Sequence, residues 1–340
     1  MPAFRFLTLI SILLCFCVVV FGAYVRLADA GLGCPDWPGC YGHLDVPGTE
    51  AEIAHAQARY PERPVEAPKA WKEMIHRYLA STLGLLIVAL ALMSLRFKQA
   101  RLPRRLPWLL VGLVIFQGIL GMWTVTWQLK PLVVTGHLLG GMSTLSLLVL
   151  LGLRVFRRQP AGTAAPERRP VALAPAGLRR WAAAGLVVVA LQIFLGGWTS
   201  TNYAALACPD FPTCHGQWVP DTDFETAFTL WHGLGINYEF GILDNDARMT
   251  IHWMHRVGAL VVAAVIGLLG LLLLLRARAP LYRGLGGLVL GLLAVQATIG
   301  IMIVKLQLPL LLAAAHNAGA ALLLLSLVSL NYYAWKPLQP

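Results

Sequence analysis

Two sets of side chains repeat along this 340-residue chain at one fixed offset. The first is Glu73-Met74-Ile75-His76-Arg77, then Gln117 and His137. The second is His252-Trp253-Met254-His255-Arg256, then Gln296 and His316, each position 179 residues after its counterpart. Ahead of each set stands a matching loop, Cys34-Pro35-Asp36-Trp37-Pro38-Gly39-Cys40 and Cys208-Pro209-Asp210-Phe211-Pro212-Thr213-Cys214. A lone histidine in an apolar helix is more often a helix–helix hydrogen-bonding group or a proton relay. Four histidines paired by duplication are different. Two neutral imidazoles per repeat are what two bis-histidine haems require. Zinc fits less well, because Glu73 stands in the first repeat where His252 stands in the second.

Glu73 is the sharpest single difference between the repeats. It lies three residues before His76, on the same helix face. It can serve as a base or charge stabiliser at a haem edge, or as an interfacial carboxylate paired with Lys72 or Arg77. Arg77 and Arg256 each follow a candidate ligand. They suit haem propionates, or they snorkel to headgroups. Gln117 and Gln296 read as polar packing residues. His43, His55, His215 and His232 fall in loops, where solvated surface is the default.

The elements that carry these residues are membrane spans. Only 13% of residues are charged, about half the usual share for a soluble domain, ~25%. Mean hydropathy is +0.67. Eight apolar runs approach the ~20 residues that a span needs: 6–27, 71–95, 106–129, 131–154, 181–200, 249–275, 284–305 and 308–333. The expected fold is therefore all-α, eight helices in two repeated four-helix bundles. An even number of spans per repeat relates the bundles by a pseudo-two-fold along the membrane normal. The N-terminal half is 1–155, a Pro-, Ala- and Arg-rich cytoplasmic linker is 156–180, and the C-terminal half is 181–340. All four histidines lie within roughly 8–12 Å of the outer ends of their helices at 1.5 Å per residue.

The net charge of +11 is not a nucleic-acid signal. Arginines and lysines cluster between spans 2 and 3 (Arg96, Lys98, Arg101, Arg104, Arg105), 4 and 5 (Arg154, Arg157, Arg158, Arg168, Arg169, Arg179, Arg180), and 6 and 7 (Arg276, Arg278, Arg283). Of 16 acidic residues, 14 fall in the loops at 28–70 and 201–248. The positive-inside rule places both termini in the cytoplasm and both long loops outside. No A-x-A-like cleavage site precedes Arg26, and no Arg- and Ser-rich transit segment precedes the first span, so a bacterial inner membrane is expected. Residues 50–60 and 223–232 have the composition of short helices. In an oxidising compartment Cys34–Cys40 and Cys208–Cys214 are within reach of disulfides, as structural staples or as redox-active pairs. Cys15 and Cys17 read as apolar packing.

Gly31-Leu32-Gly33-Cys34-Pro35-Asp36-Trp37-Pro38 with Trp71-Lys72-Glu73-Met74-Ile75-His76-Arg77 resembles the haem A synthase family. Thr135-Gly136-His137, the second Cys-Pro-Asp loop, His255-Arg256 and His316-Asn317 extend the resemblance over 6–333. It implies oxidation of the C8 methyl of haem O to a formyl group, giving haem A for terminal oxidases. Substrate haem would lie between His76 and His137, with Glu73 important in catalysis. A haem b would lie between His255 and His316 and act in electron transfer, with water as the oxygen source. Expected partners are haem O and haem A, haem O synthase and terminal-oxidase assembly factors; a homo-oligomer is compatible. The competing readings are a di-haem b-type electron carrier, which needs no Glu73, and a transporter, which would show helices broken near the midplane.

Overall fold

The apolar runs become eight long helices in the computed structural model, which describes residues 2–96, 103–157 and 176–335. They are α1 (Pro2–Leu27), α3 (Ala67–Arg96), α4 (Arg105–Thr126), α5 (Pro131–Phe156), α6 (Ala176–Thr201), α8 (Asn245–Arg276), α9 (Pro280–Lys305) and α10 (Leu310–Ala334). Each is long and apolar enough to cross a membrane. Two short helices complete the set, α2 (Glu50–Arg59) and α7 (Phe224–Ala227). No strand is present among the described residues. Most of the expected linker 156–180, with Arg158, Arg168 and Arg169, lies outside the described residues, as do Lys98 and Arg101.

Local chemistry sets the helix ends. Pro131 and Pro280 occupy first-turn positions of α5 and α9, where the missing N–H costs nothing. Asp244 caps α8 by accepting from the Ala247 amide at 2.9 Å. Thr49 and Glu52 form a reciprocal capping box on α2, as the composition of 50–60 leads one to expect. The second short helix stops after four residues rather than running over 223–232. Trp198 Nε1 donates to the Ala227 carbonyl at 2.8 Å, taking the acceptor that another helical turn would use.

Neighbour relations divide the spans into two rings. α1 packs on α3, α3 on α4, α4 on α5, and α5 back on α1. α6 packs on α8, α8 on α9, α9 on α10, and α10 back on α6. The rings meet along α1–α10, α5–α6 and α5–α10. The histidine-bearing helices α3 and α5, and likewise α8 and α10, are thus diagonal in their rings. Tight apolar packing is concentrated away from the histidines, around Ile87, Leu90, Leu145, Leu148, Leu151, Ile266, Leu269, Leu327 and Leu330.

The repeat extends to the backbone. Asp29 and Tyr203 both adopt positive φ (48° and 53°), as do Tyr41 and His215 (54° and 51°). The α4–α5 and α9–α10 corners reuse one turn, with Gln128 and Leu129 at φ 47° and 60° and Gln307 and Leu308 at 56° and 62°. Non-glycine residues seldom enter this region, so the paired occurrences mark shared backbone design.

Candidate functional site

Each of the four repeated histidines lies against a glycine of a neighbouring helix. A Cβ on Gly22 of α1 would stand 2.8 Å from His76 Cε1, and one on Gly196 of α6 would stand 3.2 Å from His255 Cε1. Gly121 of α4 faces His137 at 3.5 Å, and Gly300 of α9 faces His316 at 3.1 Å. The missing side chains make room for the imidazoles. Sequence reasoning overlooked these glycines, although they repeat at the offsets of the cysteine loops and the histidines.

All four rings are half-buried. Nδ1 of His76, His137 and His316 is buried with no hydrogen-bond partner. The His255 and His316 rings are 6.5 Å apart between centres, with planes at 75°. Imidazoles on opposite sides of one metal, at about 2 Å per metal–nitrogen bond, have centres roughly 6–7 Å apart. Among the described residues no three His, Cys, Asp or Glu side chains converge on a point. A closed zinc site made by protein ligands alone is therefore not built there. Two imidazoles per bundle suit an iron whose equatorial ligands arrive with the porphyrin.

Glu73 is buried at 5% exposure and tied to the cysteine loop. The Cys34 amide donates to Oε2 at 2.9 Å, and Arg77 Nη2 donates to Oε1 at 2.5 Å. Arg77 also donates to the carbonyls of Pro38 and Asp36, each at 3.1 Å, and to that of Gly39. The second half repeats the clasp with an imidazole. The Cys208 amide lies 3.2 Å from His252 Nδ1, and Arg256 Nε lies 3.1 Å from His252 Nε2. Arg256 donates to the carbonyls of Thr213 at 2.7 Å and Cys208 at 2.8 Å. An ionised carboxylate accepts at both oxygens, whereas a neutral imidazole accepts at only one nitrogen. The two clasps match in shape and differ in chemistry at this one residue. Both guanidinium groups are committed to loop carbonyls here.

The loops are closed by disulfides, Cys34–Cys40 and Cys208–Cys214, with Cα separations of 4.8 and 4.7 Å. Asp36 accepts from the amides of Tyr41 and Gly42 at 2.6 and 2.7 Å, and Asp210 from those of His215 and Gly216 at 2.6 and 2.9 Å. Gln296 Nε2 donates to the His316 carbonyl at 2.9 Å. Gln192, which sequence reasoning missed, reaches His255 in the same manner.

The model of the cytochrome oxidase assembly protein family COX15-CtaA matches residues 5–328. A Heme A synthase of Shewanella oneidensis is 48% identical over 318 residues, covering 94% of this chain and 92% of the relative. The chain belongs to the haem A synthase family. The Heme A synthase of Allorhizobium ampelinum is 30% identical across 92% of the chain and 85% of its own length. That of Caulobacter vibrioides is 28% identical, with 96% and 93% covered. The match to the family runs through both cysteine loops and all four histidine positions, so both bundles fall within it.

Proposed function

We propose that this protein oxidises the C8 methyl of haem O to a formyl group, producing haem A. The oxidation half-reaction is R–CH3 + H2O → R–CHO + 4 H+ + 4 e−, with the four electrons passing to a one-electron acceptor outside this chain. The observation that carries the assignment of roles is the substitution of Glu73 by His252 within two otherwise matched clasps. The bundle with the carboxylate does the chemistry. The bundle with the imidazole holds the cofactor.

His76 on α3 and His137 on α5 hold the substrate haem across the first ring. Glu73, one helical turn from His76, takes protons released from the methyl group. The Arg77 guanidinium and the Cys34 amide hold that carboxylate in place. His255 and His316 hold a haem b in the second ring, which supplies one-electron chemistry when bound. The clustered arginines set the orientation, with both termini in the cytoplasm of a bacterial inner membrane and both cysteine loops outside. Haem A then passes to terminal-oxidase assembly.

The test is extraction of haems from membranes that express this chain together with a haem O source. Haem A should appear only with the intact chain. Glu73→Gln should leave bound haem largely unchanged and stop conversion. Normal haem A production by Glu73→Gln would reduce Glu73 to a structural partner of Arg77. Bound haem B without any haem A would indicate an electron carrier instead.

A further inference from the structure

Three of the four candidate ligands share a feature that the fourth lacks. Three residues after His137, His255 and His316 comes a glycine: Gly140, Gly258 and Gly319. Each glycine forms a notch filled by a glutamine from a neighbouring helix. A Cβ on Gly140 would stand 1.7 Å from Gln117 Nε2, one on Gly258 2.2 Å from Gln192 Oε1, and one on Gly319 2.2 Å from Gln296 Oε1. At His76 the corresponding residue is Leu79, and the position matching Gln192 is Val18. The glutamine and its notch are replaced together, by two apolar side chains. Nδ1 of His76 has no hydrogen-bond partner, and neither do those of His137 and His316; among the four, His255 alone has one.

Of the three glutamines, Gln192 alone is within hydrogen-bond reach of its histidine's ring nitrogen Nδ1. Its Nε2 donates to the His255 carbonyl at 2.9 Å and lies 3.0 Å from His255 Nδ1. A carbonyl only accepts, so the amide nitrogen must face it. One amide group therefore holds both the main chain and the ring of the same residue. Partners of this kind fix ring orientation and tune a ligand, and losing one typically costs about 10–100-fold in metal affinity or activity.

We propose that Gln192 is a positioning residue that locks the His255 imidazole and makes the haem of the C-terminal half a retained cofactor. His76, without such a clamp, is the ligand through which substrate haem enters and product haem leaves. This rests on the assignment of haem b to His255 and His316. It gives a physical reason why one site keeps its haem while the other turns it over.

The experiment uses the full-length protein in detergent, with apomyoglobin as haem scavenger. Gln192→Met keeps the side-chain volume and removes the amide. Loss of haem b should be at least about 10-fold faster than in the unsubstituted protein, with a shifted midpoint potential and altered low-spin electron paramagnetic resonance g values. Should Gln192→Met not accumulate, Gln192→Asn withdraws the amide by one methylene and should give the same changes. Unchanged loss rate and potential in the accumulating variant would overturn the proposal. His255→Ala separates the two claims, since retention of haem b by that variant would defeat the ligand assignment itself.

Discussion

Gly22 shows how one missing methyl group can carry a site. His76 packs so closely against α1 that a Cβ at position 22 would come within 2.8 Å of its ring, closer than real Cβ contacts. The helix backbone is fixed, so the imidazole must turn away. Overpacking of this kind costs about 1–3 kcal/mol. Gly22→Ala should therefore abolish haem A formation while leaving haem b bound, which the optical spectrum of purified protein would read directly. Gly300→Ala, at 3.1 Å from His316, should displace that ring by less and weaken haem b binding, with haem A formation falling as haem b is lost. The ligands themselves should divide in the same way. His255→Ala and His316→Ala should lose haem b, and His76→Ala and His137→Ala should keep it but make no haem A. Loss of haem b from His76→Ala would break the assignment of one haem to each bundle.

At the scale of elements, the cysteine loops convert a flexible stretch into a rigid clasp. Asp210 is the centre of the second loop. The Thr213 hydroxyl and the Gly216 and His215 amides all donate to it and hold its carboxyl below the usual carboxylate range. A depressed folded-state pKa contributes stability above the unfolded value, ~3.9, and that stability is lost only as pH falls through the folded value. The His215 and Gly216 amides should thus stay protected from hydrogen exchange down through pH 4. Asp210→Asn should expose them at neutral pH and remove the acid dependence. Faster exchange already between pH 6 and 5 would show that another group holds the loop.

The eight spans were legible in the sequence because lipid demands long apolar runs, and the duplication made the histidines and cysteines visible as sets. The packing partners were not. Nothing in a span's composition says which glycine will face an imidazole, and Gln192 has no counterpart at Val18 to draw attention to it. The short second helix was overestimated because its end is set by Trp198 in α6, a tertiary contact outside any local window.

At the scale of the whole molecule, the two halves are tied together on the side of the long loops. Arg26 stacks over Tyr203 at 4.2 Å and donates to the Ser200 carbonyl at 2.9 Å. Arg63 pairs with Glu239 at 2.7 Å, and the Tyr238 amide donates to the Gln128 carbonyl at 3.0 Å. The most unusual tie is Lys130, only 1% exposed at the α4–α5 corner. Its ammonium sits 3.1 Å from the centre of the Trp231 ring, 5.9 Å from those of Trp127 and Tyr238, and donates to the Gly233 carbonyl. No carboxylate pairs with it among the described residues, so aromatic faces and one carbonyl offset its desolvation. Position 309, its counterpart in the second half, is proline. The lysine tie thus has no copy at the matching corner of the second half; Arg26 instead reaches from the N-terminal half to Ser200 and Tyr203. A strap pinned by a buried lysine at the corner of the first bundle fits a site whose access must be controlled. Lys130→Met keeps the stem and removes the charge and donor, at a cost of about 1–3 kcal/mol. The Tyr238 amide should then exchange about 10-fold faster or more. Turnover should become sensitive to water-soluble haem scavengers, while haem b content stays constant. Unchanged exchange at Tyr238 would mean that the Arg63–Glu239 pair holds the strap alone.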